Sequence, residues 1–296
     1  MAGVLVTGAS GQLGAYLLRE LQRRGTPLVA WGGPKATGEI GGIAVQSVDL
    51  GNPGETAGSF HAAQPEAVIH AAANARIDLC HSDPLQAERV NVAGTRTLVE
   101  LCRQSRTRLV YVSTDLVFDG QRGGYREVDP PAPLSVYGRT KAAGETPVLE
   151  YKAGAVVRVS LMFGPPINGR PNFFQAQVQS LENRSPMTLF VDEWRTPLSF
   201  YAAARGLVAV AESDYCGLLH LGGPQRMSRY EMGLRLAAAL GRDASVLRQA
   251  RQADVPAPEP RPRDVSLDSS RFRLRFADVD WPEWNEALAA MGIPNA

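Results

Sequence analysis

Apolar positions along this chain fall into short β-like runs separated by amphipathic stretches. The runs are Val4–Val6, Leu28–Trp31, Ile43–Val48, Ala67–His70, Leu109–Val112, Ala155–Val159 and, later, Gly217–Leu221. Helical spacing of apolar residues marks Gln12 to Arg24, Pro84 to Gln104 and Val136 to Glu150 among the intervals. Strand and helix in alternation predict βαβ units, and so an α/β fold with a Rossmann-type, doubly wound parallel sheet. Beyond Ser160 the regularity breaks. Loops around Gly164–Pro171, Asn183–Pro186 and Ala253–Arg263 separate shorter elements that should sit over the C-terminal edge of the sheet. The expected organisation is a dinucleotide-binding domain over residues 1–160, joined by a returning strand near 217–221, and a smaller substrate-binding cap built mainly from 161–296. The four prolines between Val255 and Pro262 read as an extended connection across a surface.

The strongest local signal is Thr7-Gly8-Ala9-Ser10-Gly11-Gln12-Leu13-Gly14, which follows the first strand and opens the first helix. Glycine at 8 and 11 permits a tight turn and close approach of a pyrophosphate to backbone N–H groups at the helix N-terminus, and Gly14 lets helix and strand pack closely. Gly8, Ser10, Gly11, Gln12, Leu13 and Gly14 are therefore candidate cofactor contacts. At the end of the second strand, Val29-Ala30-Trp31-Gly32-Gly33-Pro34-Lys35 carries no carboxylate to read the adenosine ribose. Lys35 is placed to pair with a 2′-phosphate, which favours NADP(H) over NAD(H); the competing reading is a solvated loop lysine. Asp49 accepts from the adenine amino group or caps the following turn.

Composition narrows the partners. Lys and Arg number 31 against 30 Asp and Glu, for a net charge of +1, so nothing suggests a nucleic-acid partner. Cys80, Cys102 and Cys216 are widely spaced and odd in number, which suits a reducing cytoplasm, and with four dispersed histidines no metal site is expected. No apolar run is long enough to cross a bilayer, and no basic leader precedes the first strand.

Tyr137-Gly138-Arg139-Thr140-Lys141 places tyrosine and lysine on one face of a predicted helix, and Val112-Ser113-Thr114-Asp115 closes a strand at the sheet edge where ligands of such folds bind. Reducing a carbonyl requires a proton at oxygen near neutral pH. Bringing a phenol from about 10 toward neutrality takes about 3 units, or about 4 kcal/mol, which a nearby ammonium and hydrogen bonds to the phenolate can supply. Thr114, Tyr137 and Lys141 are the candidate catalytic set: Tyr137 as acid, Lys141 lowering its pKa and orienting the cofactor, Thr114 holding the carbonyl.

Four blocks in order, Thr7–Gly14, Ser113-Thr-Asp-Leu-Val-Phe-Asp-Gly120, Tyr137-Gly-Arg-Thr-Lys-Ala-Ala-Gly-Glu145 and Arg261-Pro-Arg-Asp-Val-Ser-Leu-Asp268, resemble the extended short-chain dehydrogenases, and within them the dTDP-4-dehydrorhamnose reductase group. The resemblance spans nearly the whole chain. It implies reduction of a keto group on a nucleotide-linked 4-keto-6-deoxysugar and the same catalytic set. Cofactor contacts are implied at Gly11, Gln12, Leu13, Asp49 and Leu50, and at the strand ends Ala71, Ala72, Ala73, Asn74, Ala75 and Val112. Substrate contacts are implied near Asp115. A homodimer is compatible with it.

Departures from the group's pattern touch the sugar pocket: Leu116 replaces an aromatic residue, a tryptophan is lost near Leu161, and Arg195 stands where glycine is usual. Leu116 also occupies the position of the glutamate used by related sugar-nucleotide dehydratases, so elimination of water lacks its proton donor. Arg195 and Arg261 are candidate substrate contacts, the latter with Arg263 as a clamp on a pyrophosphate or as two solvated arginines. Trp281 and Trp284 read as packing residues and Arg158 as a paired structural charge. The chain also resembles the regulatory subunit of methionine adenosyltransferase at Tyr125-Arg-Glu127, Gln225–Met232 and Arg261-Pro262. That resemblance implies a non-catalytic, NADP-binding subunit. A sugar-nucleotide epimerase is a third reading on which the residues are silent.

Overall fold

A computed structural model of the protein describes residues 3–293. Eight strands form one sheet: β1 (Val4–Thr7), β2 (Leu28–Gly32), β3 (Glu39–Ile40), β4 (Ile43–Ser47), β5 (Ala67–His70), β6 (Arg108–Thr114), β7 (Gly154–Val159) and β8 (Gly217–Leu221), in the order β8-β7-β6-β5-β1-β2-β4-β3. All neighbours run parallel except the β3–β4 hairpin. The chain leaves β1 for β2 on one side and returns through β5 on the other, so the strand order reverses beside β1 and opens a crevice at the strands' carboxyl ends.

The unbroken apolar runs arise because both faces of the sheet are covered. Val4 and Val6 point into one core with Leu17, Val110, Val157 and Leu207, whereas Leu5 between them points into a second core with Val68, Leu98, Leu109 and Val156. Helix α1 (Gln12–Arg23) and helix α5 (Phe200–Glu212) cover the first face. Helices α2 (Pro53–Ala63), α3 (Gly94–Ser105) and α4 (Val136–Leu149) cover the second. Residues after Ser160 thus go to two places. Leu198–Ala211 and β8 join the sheet's first core, while Phe163, Phe174, Leu189, Met232, Leu247 and Trp284 form a separate core in which strands Met187–Phe190 and Leu247–Ala250 pair in parallel. Trp284 is buried there; Trp281 packs against the first core and donates its Nε1 hydrogen to the Gly222 carbonyl at 2.7 Å.

The stretch expected as one helix from Pro84 to Gln104 is interrupted by a π turn at Arg89–Ala93 between Pro84–Glu88 and α3. The wider turn lets Asn91 face inward, where its Oδ1 accepts from Asn74 N at 2.7 Å and its Nδ2 donates to Asn74 O and to Thr140 Oγ1. Among the described residues no helix is long and apolar enough to cross a membrane, and no group of three His, Cys, Asp or Glu is placed to hold a metal. All three cysteines are free.

Two buried histidines make the fold acid-labile. His70 and His220 are each pushed down to about 3, chiefly by burial, with Lys141 and Arg158 respectively adding repulsion. The unfolded chain protonates them below about 6.5, where the folded chain does not. Stability is therefore lost as pH falls from about 6.5 toward 3. The urea midpoint should fall over this range, and His220→Asn should make the fall shallower; an unchanged slope would exclude His220 as a contributor.

Candidate active site

The crevice predicted by the topology is a cavity of about 1080 Å³, floored by the ends of the strands and roofed by residues 257–262. That exceeds the usual volume of a pocket for one drug-sized ligand, so a dinucleotide and a second molecule have room. The loop from Gly8 to Gly14 forms one end. Gly8 has a φ of +72°, and a Cβ there would lie 2.7 Å from Ala72 N; a Cβ on Gly14 would lie 2.2 Å from the Gly8 carbonyl. Both glycines hold α1 close against the sheet and leave its first-turn N–H groups facing the cavity. The N-cap, Gly11, offers no side-chain acceptor to occupy them. This cradle fits a dinucleotide pyrophosphate.

Asp49, Leu50, Ala71–Ala75 and Val112 extend the same wall. Asp49 also caps its turn, accepting from Gly51 N at 2.8 Å, and lies 3.4 Å from Arg89. Lys35 is exposed and outside the lining, whereas Trp31, Gly32, Gly33 and Pro34 are part of it. The turn after β2 buries Ala36 and leaves Lys35 outward, bonding Ala36 N to the Gly33 carbonyl.

A polar chain ties this wall to the helix bearing Tyr137. Thr7 Oγ1 accepts from Ala72 N and is hydrogen-bonded to His70 Nδ1 at 2.7 Å. Thr95 Oγ1 donates to the Asn91 carbonyl and so accepts from His70 Nε2 at 3.0 Å, which fixes the neutral ring with its proton on Nε2. Asn91 then reaches Thr140, whose hydroxyl donates to the Tyr137 carbonyl. Asn91-Val92-Ala93-Gly94-Thr95 carries no periodic signal; its role emerges only from the π turn.

Thr114, Asp115, Tyr137 and Lys141 all line the cavity. Ser135 caps α4 through Gly138 N, placing Tyr137 in the first turn, partly open to the cleft. Thr114 Oγ1 donates to Asp115 Oδ1 at 3.2 Å, and Ser160 Oγ donates to Oδ2 at 3.0 Å. Burial raises Asp115 above the usual carboxylate range despite Arg195 and these hydroxyls. Tyr137 stands above the ordinary phenol range rather than below it: burial and the Asp115 carboxylate outweigh the Thr114 hydroxyl. Lys141 is buried with Nζ 3.9 Å from the centre of the Tyr111 ring, and burial pushes it down to about 7 against the pull of Glu145. The side chains alone thus make Lys141, not Tyr137, the group that titrates near neutrality.

An amine that is neutral at lower pH in the folded than in the unfolded chain makes stability rise from about pH 7 toward 10. In protein without added dinucleotide the urea midpoint should rise between pH 7 and about pH 9, and Lys141→Met should remove that rise; equal slopes would refute the depressed lysine.

The far end holds charges that the sequence only partly revealed. Arg195 is buried with its donors committed to protein: Nε lies 3.9 Å from Asp115, Nη2 3.3 Å from Glu193, and Nη1 donates to the Trp194 carbonyl. Glu193 also accepts from Arg229 Nε at 2.8 Å; burial works to raise this carboxyl, but Arg229 and Arg195 hold it below the usual range. Arg229 lines the cavity with Nη1 buried and unpartnered. Arg229 begins helix α6 (Arg229–Ala239), and no local motif marks it. Leu116 and Leu161 line the same end. Arg261 lines the roof, its Nη1 donating to the Val255 carbonyl and its guanidinium over Phe190; Arg263 is exposed and outside the lining. Arg158 pairs with Glu145 at 2.6 Å beneath the site.

The doubly wound sheet and the glycine cradle at its carboxyl edge define a Rossmann-like α/β protein. Residues 1–293 match the model of the RmlD substrate binding domain family, and the chain belongs to that family. It is 34% identical to dTDP-4-dehydrorhamnose reductase of Streptomyces griseus, covering 91% of this chain and 86% of the relative. It is 30% identical to methionine adenosyltransferase 2 subunit beta of Pongo abelii, covering 94% and 87%. The crystal structure of dTDP-4-dehydrorhamnose reductase from Bacillus anthracis in complex with NADP shares the fold, with a TM-score of 0.86, 24% identity and 99% of each chain covered.

Proposed function

We propose that this protein is an NADPH-dependent reductase of the keto group of a nucleotide-linked 4-keto-6-deoxysugar. The observation that carries the reading is the meeting of Thr114, Tyr137 and Lys141 in the same cavity as the glycine cradle. When bound, a reduced nicotinamide dinucleotide supplies the hydride that a carbonyl carbon accepts. Tyr137 gives its proton to the carbonyl oxygen as negative charge develops there. Lys141, on the same face of α4 and poised near neutrality, holds the positive charge that stabilises the phenolate left behind. Thr114 turns its hydroxyl from Asp115 to the carbonyl and fixes it beside Tyr137. The chain between His70 and Thr140 keeps the cofactor wall and α4 in register. Arg261 in the roof offers a cation for the substrate's pyrophosphate, and Arg229, through its unpartnered Nη1, an additional donor at the sugar end. NADP(H) over NAD(H) follows from the missing carboxylate after β2; with Lys35 outside the cavity, the preference rests less on that lysine.

The test is consumption of NADPH, followed by absorbance, against a panel of nucleotide-linked 4-keto-6-deoxysugars. Turnover with at least one is expected. Tight dinucleotide binding without turnover on any, together with stable co-purification of a larger partner, favours a second reading, a dinucleotide-binding subunit of a larger assembly. The likeness to methionine adenosyltransferase 2 subunit beta supports that alternative.

A further inference from the structure

The segment between Phe163 and Phe173 belongs to the cap but reaches back over the glycine cradle. Asn168 Nδ2 donates to the Ser10 carbonyl at 3.1 Å, Gln12 Nε2 donates to the Arg170 carbonyl at 2.6 Å, and Asn172 Nδ2 donates to the Gly164 carbonyl at 2.9 Å. Tyr16, one turn into α1, donates to the Pro165 carbonyl at 2.6 Å. These bonds fix the segment against the loop, and Arg170 lines the cavity there with an exposed side chain.

The charges of the lining set Arg170 apart. The carboxylates Asp49, Asp78, Asp115, Glu193 and Glu259 each have an arginine within 3.9 Å. Arg170 and Arg261 have no such carboxylate partner among the described residues. The Arg261 guanidinium, however, donates to the Val255 carbonyl and lies over Phe190, which leaves Arg170 as the lining arginine whose side chain makes neither an ion pair nor a hydrogen bond with the described residues. Its positive charge therefore adds to that of the α1 N-terminus instead of being cancelled. A guanidinium fork in this position suits bidentate pairing with a phosphate.

We propose that Arg170 is a cofactor-binding residue supplied by the cap, pairing with the pyrophosphate of the dinucleotide and joining cap and sheet domain when the cofactor binds. This rests on the reading of the cradle as a dinucleotide site. The pyrophosphate is common to NADPH and NADH, so both should depend on Arg170 alike, in contrast to a group that reads the 2′-phosphate. Because the side chain is exposed and makes no ion pair, Arg170→Gln should fold as the wild type does.

The experiment is calorimetric titration of the wild type, Arg170→Gln and Arg170→Lys with NADPH and with NADH at two salt concentrations. The expected result is a loss of affinity of about tenfold for both dinucleotides in Arg170→Gln, partial recovery in Arg170→Lys, and a weaker salt dependence in Arg170→Gln. Unchanged affinity in Arg170→Gln, with the wild type binding, overturns the role of Arg170 and leaves the cradle standing. A loss confined to NADPH also overturns it, assigning Arg170 to the 2′-phosphate instead. Failure of the wild type to bind either dinucleotide overturns the cradle itself and this inference with it.

Discussion

Tyr137→Phe should lower turnover by about a hundredfold to ten-thousandfold, the usual contribution of a positioned general acid, while leaving dinucleotide affinity within a few-fold of wild type. The hydroxyl is the part removed. The ring stays, and with it the packing of α4 against the cleft. Because the Asp115 carboxylate and burial both disfavour the phenolate, Tyr137 holds its proton throughout the neutral range and is a donor rather than a base until a developing oxyanion arrives. The pH profile of turnover should thus follow Lys141, near 7, and not a phenol. Steady-state rates with a fixed ketone substrate and titration of NADPH separate the two effects. Equal turnover in Tyr137→Phe would remove Tyr137 from the chemistry.

The largest effect on stability should come from Arg158→Met. Arg158 and Glu145 are 2% and 4% exposed in their side chains, joined by bonds of 2.9 and 2.6 Å, with Ser113 Oγ donating to the same carboxylate at 2.5 Å. Removing the cation leaves a buried carboxylate bonded only to the Ser113 hydroxyl, with Lys141 as its remaining nearby cation, at a cost of about 3–5 kcal/mol. For a domain whose total stability is on the order of 5–15 kcal/mol, that moves the urea midpoint far down. Replacing both partners, Glu145→Leu with Arg158→Met, should recover most of the loss, since the uncompensated charge is what costs. A double variant no more stable than the single one would assign the loss to packing of Arg158 over Phe118 instead.

The parts legible in the sequence are those set by local rules. Seven apolar runs become strands of the sheet, and the glycine loop and the Tyr-x-x-x-Lys pair come to line one cavity because their placement depends on spacing along one turn or one helix face. Lys35 shows the limit of such reading: sequence proximity to β2 places it near the ribose end, but the turn that buries Ala36 directs it outward. Arg195 is visible as an unusual residue, yet its use depends on Asp115, Glu193 and the Trp194 carbonyl, which are brought to it by tertiary packing. Arg229 and Arg170 sit on cap elements whose approach to the cleft follows from no periodicity. Asn91 is hidden for a different reason, because a single π turn within an apparently regular helix decides which way its amide points.

The most direct test of the central claim, that one cleft brings dinucleotide, keto sugar and Tyr137 together, is label transfer. NADPH fully deuterated at the reactive nicotinamide carbon is incubated with the accepted nucleotide-linked keto sugar, and the sugar is recovered for mass spectrometry. The account predicts deuterium on the former carbonyl carbon in the wild type, and in Tyr137→Phe an initial rate of label transfer lowered by the same about hundredfold to ten-thousandfold as turnover. Unlabelled sugar recovered from wild-type protein that holds NADPH tightly would contradict it.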